Sequence, residues 1–306
     1  MQQNIKANRR KRERRLQRAA SFASLTVALL LIAAKLWSWL ATGSVAMLST
    51  LADSVLDMLA ASITVVAVYY SLRPADHEHR FGHGKAQGLA ALLQSLIVTA
   101  SALYVFKEAA EHMLDPQPVA NPTAGLAIMA LSIVLTLALV AFQSYVVRTT
   151  GSLAIAADSV HYRSDLLINL TVAAAIALAG WTRWQFLDPL AGLLIAAYIV
   201  WSAYTIATDA LDVLLDRELS PEDRQRIRAI AEQHPAVQGF HDLRTRSGGA
   251  IQFIQFHLEL DPQTTLLESH VIMDEVEDAI RADYPRCEII IHTDPAGFEE
   301  LRDEFD

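Results

Sequence analysis

Six apolar stretches follow one another along this chain, at about residues 20–40, 45–71, 87–113, 122–147, 152–180 and 186–211. Each supplies roughly the 20 residues that an α-helix needs to cross the hydrocarbon layer of a bilayer. One such run could be the buried core of a soluble domain, but that explanation would have to hold six times in succession across short polar joints. Backbone groups left unpaired in lipid are costly enough that a spanning run must be helical. The pattern therefore predicts an all-α membrane domain of six transmembrane helices over residues 20–211. Composition agrees, since 53% of the 306 residues are hydrophobic, above the usual range for soluble chains. The first stretch leads into further spans without a small-residue cleavage site, so it is read as a membrane helix and not as a signal peptide.

Charge sets the orientation. Residues 1–19 form a basic tail with Lys6, Arg9, Arg10, Lys11, Arg12, Arg14, Arg15 and Arg18, and excess Lys and Arg beside a span marks the cytoplasmic side. Nucleic-acid binding is the rival use of such a cluster; beside a span, topology and anionic lipid account for it, so no nucleic-acid partner is expected. The joint RPADHEHRFGHGK carries Arg73, Arg80 and Lys85 on that same side, whereas LDPQPVANPT, expected outside, has neither Lys nor Arg. Both termini are then cytoplasmic. A single cysteine, Cys287, excludes a disulfide framework and a cysteine-rich metal site.

From about Leu214 the apolar character ends. Residues 212–296 read as a soluble, cytoplasmic α+β domain, and 297–306 as an acidic tail. SPEDRQRIRAIAEQH starts with a capping Ser220 and Pro221 in the first turn. VQGFHDLRTR and AIQFIQFHLEL read as strands around Ser247, Gly248 and Gly249, LLESHVIMDEVEDAIRADY as an amphipathic helix and CEIIIH as a strand. The order is α-β-β-α-β.

Spans two and five carry ionisable residues where lipid would exclude them. GSVAMLSTLADSVLDMLA, from Gly43, aligns without gaps on GSLAIAADSVHYRSDLLI, from Gly151, and places Asp53 on His161 and Asp57 on Asp165. Each pair sits at i and i+4, on one helix face. An ionised Asp at a helix centre costs roughly 2.5–3.5 kcal/mol, so three aspartates and a histidine held there amount to something like 10 kcal/mol unless compensated. Lys35 and Lys107 are the only cations read inside the spans; they lie toward span ends and are expected to snorkel. A bound divalent cation would compensate the acids. Three carboxylates and an imidazole suit Zn(II) and its neighbours, whereas Cu(I) prefers sulfur. Neutral, hydrogen-bonded helix glue is the plainer alternative. Asp158, one turn from His161, either lines an entry path or sits near water.

LADSVLD, HYRSD, FGHGKAQ, HDLRTR, FIQFHLE and IIIHTDP stand in an order and spacing that resembles the cation diffusion facilitator family, from about Ala20 to Pro295. The resemblance implies a homodimeric, proton-coupled exporter of divalent transition metals in a bacterial inner membrane, with Zn(II), Cd(II) and Fe(II) as substrates, and no enzyme activity. It implies a transport site at Asp53, Asp57, His161 and Asp165, and a second site in the joint at Asp76, His79 and His83. In the soluble domain, which resembles a metallochaperone fold, it implies a two-metal site from His241, His257, His270, His292 and Asp294, where Zn(II) would be regulatory or structural. Thr293 departs from the amide side chain found in the resembling pumps, and His77 is an extra histidine. The resemblance also suggests a charge cluster of Lys85 with Asp209 and Asp216.

Read from the residues alone, His257 lies on the strand face opposite Ile254, Phe256, Leu258 and Leu260, so core packing does not explain it. His270 falls beside its helix's core stripe. Asp76, His79 and His83 are either an oxygen and nitrogen cluster or a solvated loop. Two other functions fit a metal in a membrane: a passive divalent-cation channel and an intramembrane metallohydrolase. The hydrolase would want a general base at an open metal position, and HEHRF at His77 lacks the second histidine of an HExxH arrangement.

Overall fold

The computed structural model describes residues 2–42, 45–114, 123–178, 187–249 and 251–297. Gly43 of the helix alignment, most of the joint LDPQPVANPT and the acidic tail beyond Gly297 lie outside the described residues. The chain divides into two compact units, Met1–Leu211 and Asp212–Asp306.

The first unit holds six long helices: α1 Gln2–Thr42, α2 Val45–Ser71, α3 Ala86–Leu114, α4 Thr123–Thr150, α5 Leu153–Leu178 and α6 Leu187–Leu214, the last running into the boundary. Among the described residues, five stretches are long and apolar enough to cross a membrane: Lys11–Leu40, Asp53–Ser71, Ala86–Glu111, Ile128–Thr150 and Gly192–Leu214. The remaining helix, α5, has 26 residues and carries Asp158, Arg163 and Asp165. The helices approach through small residues, with Ala60, Ala61, Ala90, Ala91, Ala154, Ala157, Ala203 and Ala210 all buried. Such residues let helix backbones come close where the hydrophobic effect supplies no drive. Large apolar residues face outward, among them Leu89, Leu96, Leu103 and Tyr104 on α3.

The basic segment before residue 20 is helical and continuous with the first span. Polar residues in its later part, Arg12, Gln17 and Arg18, have partners on the bundle. Arg12 Nη2 donates to Tyr145 Oη on α4 at 3.0 Å, and the Arg18 guanidinium lies 5.4 Å from the Tyr69 ring centroid. Gln87 Nε2 donates to Ser71 Oγ at 2.9 Å and to Gln17 Oε1 at 3.3 Å, and Gln87 Oε1 accepts from Ser152 Oγ at 2.6 Å. This buried cluster places the start of α1, the joint 72–85 and the α4–α5 link at one end of the bundle.

The second unit runs α7 Pro221–Glu232, β1 Gly239–Ser247, β2 Gln252–Leu260, α8 Leu266–Asp283 and β3 Cys287–Pro295, in the anticipated order α-β-β-α-β. Ser220 caps α7, accepting from the Asp223 N–H, and Thr265 with Glu268 forms a capping box on α8. The sheet order is β1-β2-β3, with β1 and β2 antiparallel and β2 and β3 parallel. Phe240, Ile254, Phe256, Leu258 and Ile289 meet Ile227, Val276 and Ile280 from the helices in one core. β3 outlasts the expected CEIIIH by three residues, because Thr293, Asp294 and Pro295 continue the register against Leu258, Glu259 and Leu260.

Candidate metal sites

The bundle site is assembled from one face each of α2 and α5. His161 Nε2 lies 3.0 Å from Asp57 Oδ1 and 3.7 Å from Asp165 Oδ2. Asp57, His161 and Asp165 each offer a ligand atom within 4.8 Å of the others. The i,i+4 spacing puts His161 and Asp165 on one face of α5, and antiparallel α2 brings Asp57 to them. Asp53, one turn earlier, stands outside this trio but within electrostatic reach of Asp57 and Asp165. The imidazole is buried, and its Nε2 is shared between two carboxylates, an oxygen and nitrogen set that suits Zn(II)-like ions.

Beside this trio stands Asp158, which is neither near water nor open to a path. It is fully buried and joins helices: Oδ2 accepts from Gln143 Nε2 at 2.6 Å, and Oδ1 from Thr64 Oγ1 and Gln94 Nε2, both at 3.4 Å. Gln94 Nε2 also donates to Thr64 Oγ1 at 2.5 Å and to the Ala60 carbonyl at 3.0 Å. One carboxylate thus links α5 to α2, α3 and α4, the kind of interhelical polar contact that holds membrane bundles together. Sequence reasoning noticed Asp158 but missed its amide partners, since a glutamine in an apolar run has no periodic signature.

Two cations need correcting. Lys35, expected to snorkel, turns its ammonium inward onto Ser54 Oγ at 2.6 Å. Arg163, overlooked as a charge within a span, lies on α5 between two site residues, and its Nη2 donates to Ser144 Oγ on α4 at 2.8 Å. The signal was in HYRSD itself. Lys107 is exposed and pairs with Glu111 at 3.4 Å.

The joint 72–85 folds back on itself around Asp76. Asp76 Oδ1 accepts from the backbone N–H of His79 at 2.7 Å and of Glu78 at 3.0 Å, and His79 Nδ1 lies 3.3 Å away. Gly82, at φ +80°, takes a left-handed conformation that side-chain-bearing residues avoid. The turn sends His83 back so that its Nε2 is 3.2 Å from Asp76 Oδ2. The His79 N–H holds the Asp76 carboxyl below the usual range despite opposing desolvation, with the Glu78 N–H, the His79 side chain and His83 adding to this. His83 is buried against Tyr70, and its Nδ1 has no hydrogen-bond partner. Asp76, His79 and His83 again offer atoms within 4.8 Å of each other; His77 is exposed and outside the trio.

In the second unit strand register does the positioning. His241 pairs with His257, and His257 with His292, so three histidines lie abreast on the sheet face away from the core. Their ring centroids are 5.1 and 4.7 Å apart. Asp294, two residues beyond His292 and on the same face, reaches all three: Oδ2 lies 2.8 Å from His257 Nδ1 and 3.2 Å from His241 Nε2, and Oδ1 lies 3.2 Å from His292 Nε2. Burial pushes the Asp294 carboxyl up, but the His257 hydrogen bond and the adjacent imidazoles outweigh it and hold it below the ordinary range. Both His241 nitrogens are buried and lie close to carboxylates, Glu259 Oε1 at 3.1 Å and Asp294 Oδ2, yet neither has hydrogen-bond geometry. Such uncommitted donors fit a metal.

His241, His257 and Asp294 form the tightest group, with His292 more exposed at its edge. His270 stands apart. It is exposed on α8, 3.6 Å from Asp274, and α8 covers the opposite face of the sheet, where Ser269 contacts Thr293. Asp242 at φ +48° and a register shift between His241 and Arg244 mark a β-bulge that the sequence did not reveal.

Comparison with known proteins covers both units. Residues 21–215 match the cation efflux transmembrane domain, and residues 219–296 the cytoplasmic domain of cation efflux proteins. The cation-efflux pump FieF of Shewanella oneidensis is 46% identical over 280 residues, spanning 92% of this chain and 94% of its own length. The Citrobacter koseri FieF is 43% identical over 283 residues, with the same coverage. Among solved structures, the metal-bound C-terminal domain of the CzcD transporter from Thermotoga maritima is 25% identical, covering 26% of this chain and 93% of its own, with a TM-score of 0.25.

Proposed function

The chain belongs to the cation efflux family, the cation diffusion facilitators, and we propose that it exports divalent transition-metal ions, Zn(II) with Cd(II) and Fe(II), in exchange for protons. It works as a homodimer in the bacterial inner membrane with both termini in the cytoplasm. The observation that carries this reading is the meeting of Asp57, His161 and Asp165 inside a helical bundle, where acids are costly unless a cation accompanies them.

The chemistry of the trio supports exchange. A cation takes carboxylate oxygens and the lone pair of a neutral imidazole, and a proton takes the same atoms, so metal and proton compete for one set of sites. Metal arriving from the cytoplasm binds deprotonated ligands, and protons from the far side displace it. In the second unit His241, His257 and Asp294, with His292 beside them, would hold regulatory or structural Zn(II); Asp76, His79 and His83 would hold another ion at the joint. Bound there, the metal would take the imidazole nitrogens and carboxylate oxygens that now face one another.

Purified protein in vesicles containing a pH-sensitive dye tests the proposal. Zn(II) flux is expected to carry an opposing proton signal and to speed up under an imposed proton gradient directed opposite to the metal. Metal flux with no proton movement would replace exchange with a passive channel. Parallel runs with Cd(II), Fe(II) and Mn(II) rank the substrates.

A further inference from the structure

A cation beside the bundle site has no place among the proposed ligands. On α1, Leu36, Trp37 and Leu40 are exposed toward lipid, while Lys35 points the other way, onto Ser54 Oγ at 2.6 Å. Ser54 is fully buried, follows Asp53 directly and lies one turn from Asp57. Lys35 stands seven residues before the end of α1, and Ser54 nine residues after the start of α2. At 1.5 Å per residue the ammonium is therefore held about 10–13 Å inside the helix ends. A lysine seeking water would extend toward the interface; this one extends toward the acids, within electrostatic reach of Asp53 and Asp165.

Counting charges shows what the lysine changes. Asp53, Asp57, Asp158 and Asp165 bring four negative charges, and Arg163 and Lys35 remove one each. The two that remain are matched by one divalent cation, which leaves a neutral group in a medium that penalises net charge. Without Lys35 the loaded group would keep a negative charge and would hold the metal more tightly.

We propose that Lys35 is the resident counter-charge of the bundle site: anchored on Ser54, it sets the remaining charge to suit a divalent ion and weakens the hold on that ion so that it can leave. The proposal rests on the reading of Asp53, Asp57, His161 and Asp165 as the transport ligands. Lys35 is a positioning and specificity residue and not a ligand.

The test is Zn(II) flux by the full-length protein in vesicles, with KM and kcat measured for Lys35→Met, Lys35→Arg and Ser54→Ala. Methionine keeps the apolar stem and removes the charge. It is expected to lower KM about tenfold or more, because repulsion of the metal is lost in a low-dielectric site, and to lower kcat comparably as release slows. Arginine is expected to keep both within a few fold of the parent, and Ser54→Ala to shift KM in the same direction as methionine by a smaller factor. A lysine with a merely structural role would lower kcat in the methionine variant with KM unchanged or raised, and that result overturns the proposal. Should Lys35→Met fail to fold, Ser54→Ala decides: an unchanged KM there overturns it too. Absence of Zn(II) flux in the parent protein would instead bring down the transport reading itself.

Discussion

In the helical unit the buried apolar residues are mostly small, with alanine lining the contacts between helices and large residues such as Trp37, Leu89, Tyr104 and Trp201 turned outward; in the second unit Ile227, Ile254, Phe256, Leu258 and Ile280 fill the centre. The difference follows from solvent. Water drives large apolar groups inward, whereas lipid is indifferent to them and leaves close packing and polar contacts to hold helices together. The same contrast governs the candidate sites. Inside the bundle a site is two helix faces with a 3.6-residue period, and an acid there needs a counter-charge or, like Asp158, a full set of hydrogen-bond donors. On the sheet it is strand register, which sets histidines side by side, from buried His241 to exposed His292, where Asp294 can draw them together.

Four experiments would break or sharpen this comparison. The largest effect is expected from Asp57→Ala, which removes a carboxylate from a trio with no spare ligand. Zn(II) flux should fall by at least about a hundredfold, beyond the roughly 10–100-fold cost of losing a partner that only orients a ligand, while size-exclusion chromatography reports the same oligomeric state as the parent. Flux at the parent level would mean that the buried acids are helix glue. Next comes the pair His241→Ala with His257→Ala. Calorimetry on residues 212–306, which hold their own core, should show Zn(II) binding weakened about tenfold or more, with flux by the full chain retained. An unchanged stoichiometry would count against the histidine row.

Asp158→Ala should cost about 1–3 kcal/mol, because two buried glutamine amides lose their acceptor, and thermal unfolding in detergent should shift down by several degrees. An exposed carboxylate would show no such loss, so the result separates a structural acid from a path-lining one. The smallest effect belongs to Tyr284, whose phenol donates to Asp223 Oδ1 at 2.8 Å. Burial, then that bond, push it up to about 12, against about 10 in an unfolded chain. A raised value means that its contribution is complete below pH 10 and is lost as pH climbs from 10 through 12. Tyr284→Phe should cost about 1 kcal/mol at neutral pH and flatten that alkaline slope in chemical denaturation.

How much of this was legible in the sequence depended on whether the signal was periodic. Asp57, His161 and Asp165 were found because acids four residues apart in an apolar run share a face whatever the tertiary structure. The facing of Lys35 could not be read, since its direction depends on which side of α1 meets lipid, and long apolar residues surround it on both. Arg163 was readable and passed over, because the flanking histidine and aspartate drew the whole motif into one reading. On the sheet, alternation showed that His257 faces away from Phe256 and Leu258. It could not show that His241 comes level with it, because the bulge before Arg244 breaks the alternation. Ser269, Val276 and Ile280 turn inward on α8, and His270, a step of 100° round from Ser269, is carried to the helix's open side.

The link between α4 and α5 is two residues, Gly151 at φ +67° and Ser152. Two residues drawn out fully span about 7 Å, so these helices form a hairpin with almost no slack. Gln143 and Asp158 clasp it within the bundle, and Arg163 and Ser144 clasp it again beside the trio. The half of the site carried on α5 is therefore mechanically one piece with α4. Any swing that presents His161 and Asp165 to the other side of the membrane has to take α4 along, and it has to part or carry the Asp57 contact and the Thr64 bond to Asp158 that join this piece to α2.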